Sequence, residues 1–155
     1  MKIASIIATC VLALSPAIVF ASGCPKGKEG PTPFKPITEN SGSLDVQIYS
    51  QTDLGSEAIK AEGWRFRART IVFGKDAVAQ LHSHDKRPET AVMKHGTVTV
   101  YEENCTVSYE MKEGDVYQSG HGDAHWVVNK SGAPAVMFVV DLVNEDTFPG
   151  SHDKM

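Results

Sequence analysis

A chain of 155 residues has room for one hydrophobic core and not for two. Its composition, 41% apolar and 22% charged, is that of an ordinary globular domain and holds no low-complexity tract. The formal charge is −4 and the 15 Lys and Arg are scattered, which argues against the basic patch that a nucleic acid or an anionic membrane would need.

The chain opens MKIASIIATCVLALSPAIVFASGC: one positive residue, Lys2, an uncharged apolar run from Ile3 to Phe20, then small residues. That is the layout of a secretory signal, with Val19 and Ala21 at the positions a signal peptidase reads. Removal of residues 1–21 is expected. The run could just span a bilayer, but Pro16, its shortness and the Ala-Ser-Gly end favour cleavage over a permanent anchor. The mature chain is therefore expected to be exported, periplasmic or outer-surface, with no membrane span.

Cys10 leaves with the signal, so Cys24 and Cys105 remain, and two readings stay open. The pair can form a disulfide in an oxidising compartment. Alternatively, Phe20-Ala21-Ser22-Gly23-Cys24 resembles a bacterial lipobox, with Ala21 where Leu is usual; the signal would then run to residue 23 and a lipid would anchor Cys24. The two readings exclude each other.

Residues 24–43 are rich in Pro and Gly and show no periodicity, so a linker or extended arm is expected there. From Leu44 the pattern turns to strands. In LDVQIYSQ (44–51), Leu44, Val46 and Ile48 share a face. Ser56 to Glu62 reads as a short helix with Ser56 as N-cap and Gly63 past its end. WRFRARTIVF (64–73) alternates: Trp64, Phe66, Ala68, Thr70 and Val72 face one way, Arg65, Arg67 and Arg69 the other. The arginine stripe reads as a solvated or subunit-contact face, with a carboxylate clamp as the lesser alternative. Further strands are expected at 78–84, 89–94, 97–102, 105–111, 115–118, 125–129 and 134–143, most of them separated by glycine-marked turns. The fold class is all-β, a sandwich or barrel over residues 44–145, with a polar tail at 146–155.

One run concentrates the chemistry: HSHDKRPETAVMKHG, residues 82–96. A polar, solvent-facing loop is the plain reading. On a strand, however, side chains at i and i+2 share a face, so His82 and His84 project together. A hairpin-like return past Asp85–Pro88 brings Glu89 beside them, and His125 starts a later apolar strand. Three imidazoles and one carboxylate suit Mn, Fe, Co, Ni, Cu or Zn and leave one or two positions of an octahedral ion open. Open positions belong to a working site, not a closed structural one.

These spacings also resemble a family. His82-x-His84, four residues, Glu89, six residues, Gly96 resembles the first motif of the cupins. Gly114, five residues, Gly120-x-Gly122, two residues, His125, three residues, Asn129 resembles the second. The resemblance covers roughly residues 64–143, with a short inter-motif segment as in small bacterial single-domain cupins. Gly74, which would open the first motif, lies two residues too far upstream, and Gly120 replaces a proline in a turn. The resemblance implies a jelly-roll barrel holding one divalent transition metal (Mn, Zn, Ni, Cu or Fe) through His82, His84, Glu89 and His125. It also implies a homodimer.

Strand parity extends the site. If His82 and His84 face inward, so does Gln80; if Glu89 does, so do Ala91 and Met93. The expected interior is small and mostly apolar with one amide, fit for a small organic ligand. His121, between Gly120 and Gly122, is a candidate acid, base or extra ligand at the barrel mouth, or simply an exposed residue. His95 reads as surface, His152 as tail, and Trp126, next to a ligand, as packing. Tyr101, Tyr109 and Tyr117 could each supply a phenol, and parity does not choose among them. The expected function is a metal-dependent enzyme of dioxygenase, decarboxylase, isomerase or lyase type. The alternatives are a non-catalytic module that binds a metal or small ligand, and a purely structural domain.

Overall fold

The computed structural model describes residues 21–120, 122–144 and 146. The signal-like residues 1–20, His121 and the tail with His152 lie outside them. Ten strands are present among the described residues: β1 Ala21–Ser22, β2 Leu44–Asp53, β3 Trp64–Phe73, β4 Val78–Ser83 and β5 Glu89–His95. They continue with β6 Thr97–Glu102, β7 Tyr109–Lys112, β8 Val116–Ser119, β9 Ala124–Val128 and β10 Ala135–Asn144.

The strands form two sheets, one in the order β1-β8-β5-β10-β3-β2 and the other β4-β9-β6-β7. Pairing is antiparallel except for β1, which runs parallel to β8. Between the sheets lie Ile71, Phe73, Ala91, Met93, Met137 and Val139 from the larger, and Ala79, Val98, Val100, Met111 and Val127 from the smaller. Each large apolar side chain buried this way contributes about 1.5–3 kcal/mol. Gly96 makes the β5–β6 turn: its φ of 75° is one other residues rarely adopt, and a Cβ there would sit 2.9 Å from the Pro134 carbonyl oxygen.

Three expectations need correction. Residues 56–62 form no helix but part of the loop closing the β2–β3 hairpin. Leu54 N–H donates to the Trp64 carbonyl at 2.9 Å, the Ser56 hydroxyl donates to the Asp53 carbonyl instead of capping a helix, and Lys60 is left-handed at φ 51°. The strand expected from 105 starts only at Tyr109, because Cys105 is pinned by a disulfide to Cys24, 81 residues away in sequence.

Of the linker and the extended arm expected at 24–43, the structure shows the arm, laid along the barrel's own surface. Gly30 and Thr32 donate to the carbonyls of Asn104 and Glu103, Ser41 bridges Val78, and Leu81 donates to Ile37. Phe34 packs edge-on against Tyr101, which stacks in turn on the buried Trp126.

The third correction is the arginine stripe. Arg67 and Arg69 are each 1% exposed and face the interior with Ile71 and Phe73, while Phe66 on the other face is 46% exposed. The cause is Asp141 on β10, which is paired in register with Arg67 on one side and Glu89 on the other. A carboxylate in the core lets the guanidinium groups be buried there.

Candidate metal centre

His82 on β4 and His125 on β9 are register partners across the small sheet, and His84 follows β4 directly. His84 is fixed by its own N–H, which donates to the Asp123 carbonyl at 2.9 Å, and by the Arg87 N–H, which donates to its carbonyl. The three rings approach within 4.5–4.9 Å centre to centre, and one nitrogen of each lies within 4.8 Å of those of the others.

The second nitrogen of each ring is accounted for. His82 Nδ1 donates to the Gln80 carbonyl at 2.8 Å and His84 Nδ1 to the Arg87 carbonyl at 2.9 Å. His125 Nδ1 lies 2.8 Å from the Tyr117 hydroxyl. Burial pushes the phenols of Tyr117 and Tyr109 upward, so both stay protonated. His82 and His84 thus carry the proton on Nδ1 and keep a lone pair on Nε2, the arrangement a metal ligand needs, and His125 takes the same form when the Tyr117 hydroxyl oxygen accepts from its Nδ1–H. His84 Nε2 is buried with no hydrogen-bond partner. An unsatisfied buried nitrogen costs about 1–3 kcal/mol, and a cation at this point removes that cost. The donor set therefore fits a divalent transition metal.

Burial lowers His82 and His84 to about 4 and His125 well below its usual value, so all three are neutral near pH 7. In the unfolded chain each takes a proton near pH 6.5. Between about pH 6.5 and 4 the unfolded state binds more protons than the fold, so stability falls as pH falls, by up to about 1.4 kcal/mol per unit per imidazole. Urea unfolding of the metal-free protein across this window is expected to show that slope, and replacing His125 to make it shallower.

Glu89 opens β5, buried, with Oε1 3.5 Å from His84 Nε2 and Oε2 3.4 Å from Arg69 Nη2. It is adjacent to the three-histidine group, held behind it by the arginine. Burial raises its pKa and the nearby Arg87 and Arg69 oppose that rise. A cavity of about 20 Å³ lies against His82, His125 and Glu89, walled by Arg69, Arg87 and apolar side chains such as Phe73 and Val127. Ala79 lines it and Gln80 does not, because the β4–β9 register shifts between Ala79 and His82 and reverses the parity. Met93 packs in the core and does not line the cavity either. His95 is on the surface near Glu113.

Behind His125 stands a group that sequence reading left unassigned. Glu102 accepts from Tyr109 at 2.5 Å, and Tyr117 and the disulfide-bonded Cys24 lie close enough to act on its carboxyl group. The arm thus reaches a metal-ligand candidate through Glu102 and Tyr117. Tyr117→Phe is expected to weaken metal binding about 10- to 100-fold, the usual effect of removing a ligand's hydrogen-bond partner, as read by competition with a chelator. Asp141 and Arg87 were also unassigned; the one legible sign was a lone Asp inside the apolar strand VMFVVDLV.

The cupin domain family matches residues 69–141. No curated protein sequence matches the chain. Among similar solved structures is a predicted oxalate decarboxylase from Thermotoga maritima, at TM-score 0.54 and 14% identity over 79% of this chain and 99% of that one. KdgF from Halomonas sp. follows at 0.51 and 16%, over 71% and 91%. The Cnp3 cupin domain of Schizosaccharomyces pombe stands at 0.52 and 10%, over 71% of each chain. At such identities the likeness carries the fold alone. The matched residues, the paired motifs inside them and the two-sheet barrel agree: residues 69–141 carry a cupin domain, in a small barrel of the cupin type.

Proposed function

We propose that the chain is an exported enzyme that acts on a small organic molecule with one divalent transition metal held by His82, His84, His125 and Glu89. The observation that carries this reading is the grouping of three buried imidazoles, one nitrogen of each within 4.8 Å of the others, with every Nδ1 engaged in a hydrogen bond. When bound, the ion supplies Lewis acidity toward a substrate oxygen. The chain's own residues hold the imidazoles in one tautomer, keep them neutral, and exclude bulk water with Phe73, Val127 and Met137.

A second reading, a non-catalytic module that captures a metal or small ligand, has one observation in its favour. The cavity's carboxylate, Glu89, is paired with Arg69, so no unengaged acid or base faces the cavity among the described residues. Elemental analysis of protein purified from its own compartment without chelators tests the metal. About one transition metal per chain supports both readings, and turnover of small organic acids or alcohols then separates them. No bound metal and no uptake on titration would sink the enzyme reading.

Export is part of the proposal. The Cys24–Cys105 disulfide supports an oxidising compartment and engages the sulfur that a lipid would need. Mass spectrometry of the mature N-terminus checks it: an uncleaved Met1 start is the outcome against export, and a diacylglycerol on Cys24 the outcome against the disulfide.

A further inference from the structure

We propose that the cavity beside the histidines takes the carboxylate head of a small organic acid, held by Arg69 and Arg87; this rests on the metal-site reading above and names its substrate class. The observation is a set of donors with nothing to donate to. Arg69 Nε and Nη1 and Arg87 Nε are buried without a hydrogen-bond partner, and both residues line the cavity that His82, His125 and Glu89 line.

The protein's own carboxylates do not reach these atoms. Asp141 takes the Nε and Nη2 edge of Arg67, at 2.9 and 2.7 Å. On Arg69 both acids converge on one atom, Nη2, with Asp141 at 3.2 Å and Glu89 at 3.4 Å. On Arg87, Asp141 faces Nη1 at 3.6 Å. Two charged side chains, 1% and 4% exposed, therefore hold spare N–H groups against a cavity otherwise walled by Ile71, Phe73, Val127 and Met137.

Guanidinium groups match the planar two-oxygen face of a carboxylate, and in a dry site each such charge-assisted bond is strong. Size narrows the ligand. About 20 Å³ admits one or two water-sized groups, far below what a drug-sized ligand fills. The head of an acid fits, and a sugar ring does not. Its carboxylate would lie between the arginines and the grouped imidazoles, where a metal-bound oxygen and an arginine-bound oxygen can belong to one anion.

The test uses acetate and its neutral isostere acetamide, titrated calorimetrically into the full mature protein, metal-free and zinc-loaded. Acetate is expected to bind at least tenfold more tightly than acetamide in both forms. Arg87→Gln is expected to weaken acetate about tenfold while zinc stoichiometry stays at the wild-type value. Equal binding of acetate and acetamide, or no binding of either, overturns the proposal. So does acetate affinity in the zinc-loaded form that Arg87→Gln leaves unchanged, since the anion would then sit on the metal alone. Should Arg87→Gln fail to fold, Arg87→Lys keeps the charge and removes the fork, and the wild-type comparison stands without either variant. Failure to load zinc counts against the metal reading, while the metal-free titration still judges the arginine site.

Discussion

The double substitution His82→Ala/His125→Ala is expected to bring bound transition metal from about one ion per chain to none detectable, and to leave the barrel folded. The two imidazoles face each other in register across β4 and β9, so their loss removes two of three grouped nitrogens at once. The core depends on neither residue: Met93, Val98, Val100, Met111 and Val139 pack between the sheets and do not line the histidine cavity. A ligand present at 100 to 1,000 times its Kd stabilises a fold by about 2.7–4.1 kcal/mol. Wild-type protein should therefore melt higher with zinc than without, and the variant should show no such difference. Its metal-free form should also lose less stability on acidification, because two imidazoles that the fold holds neutral are gone. If the variant unfolds with metal absent at neutral pH, the histidines are structural and the working-site reading is wrong.

Asp141→Ala is expected to cost about 3–5 kcal/mol, the range for removing one partner of a buried ion pair. Asp141 is 1% exposed, grips Arg67 through both carboxylate oxygens, and faces Arg69 and Arg87 with Oδ2. Without it three interior guanidinium groups lose the carboxylate they share. A domain of this size has about 5–15 kcal/mol in all, so urea denaturation should show the midpoint falling by about a fifth or more of its wild-type value. Asp141→Asn, with the shape kept and the charge removed, should fall between. A loss below about 1 kcal/mol for Asp141→Ala would show that the cluster is hydrated and adds little to stability.

Both outcomes turn on residues that differ in how legible they were. The strands of the barrel could be read closely: period-two alternation and glycine turns placed β3 at 64–73 and β6 at 97–102, as observed. Turns and alternation are local, set by backbone sterics and by side chains two residues apart. The histidines were legible for the same reason, since His82-x-His84 on one strand face needs no partner to be recognised.

What alternation does not contain is which face points inward. WRFRARTIVF divides its residues into two sets, and the arginines share a set with Ile71 and Phe73. Only the arrival of Asp141 from a strand 74 residues away makes that set the buried one, because a guanidinium enters a core only where a carboxylate meets it. Parity also fails where the ladder slips, and the irregularity between Ala79 and His82 exchanged Ala79 for Gln80 at the cavity wall. The choice of Tyr117 among three tyrosines, and the arm held at Glu102 through Cys24, likewise follow from distance in space. By itself the sequence determined the class of fold, most of the strand positions and the metal-ligand candidates, all products of short-range pattern. Tertiary structure alone decided the charged lining of the cavity, because ion pairs between remote strands set which of two equivalent faces is buried.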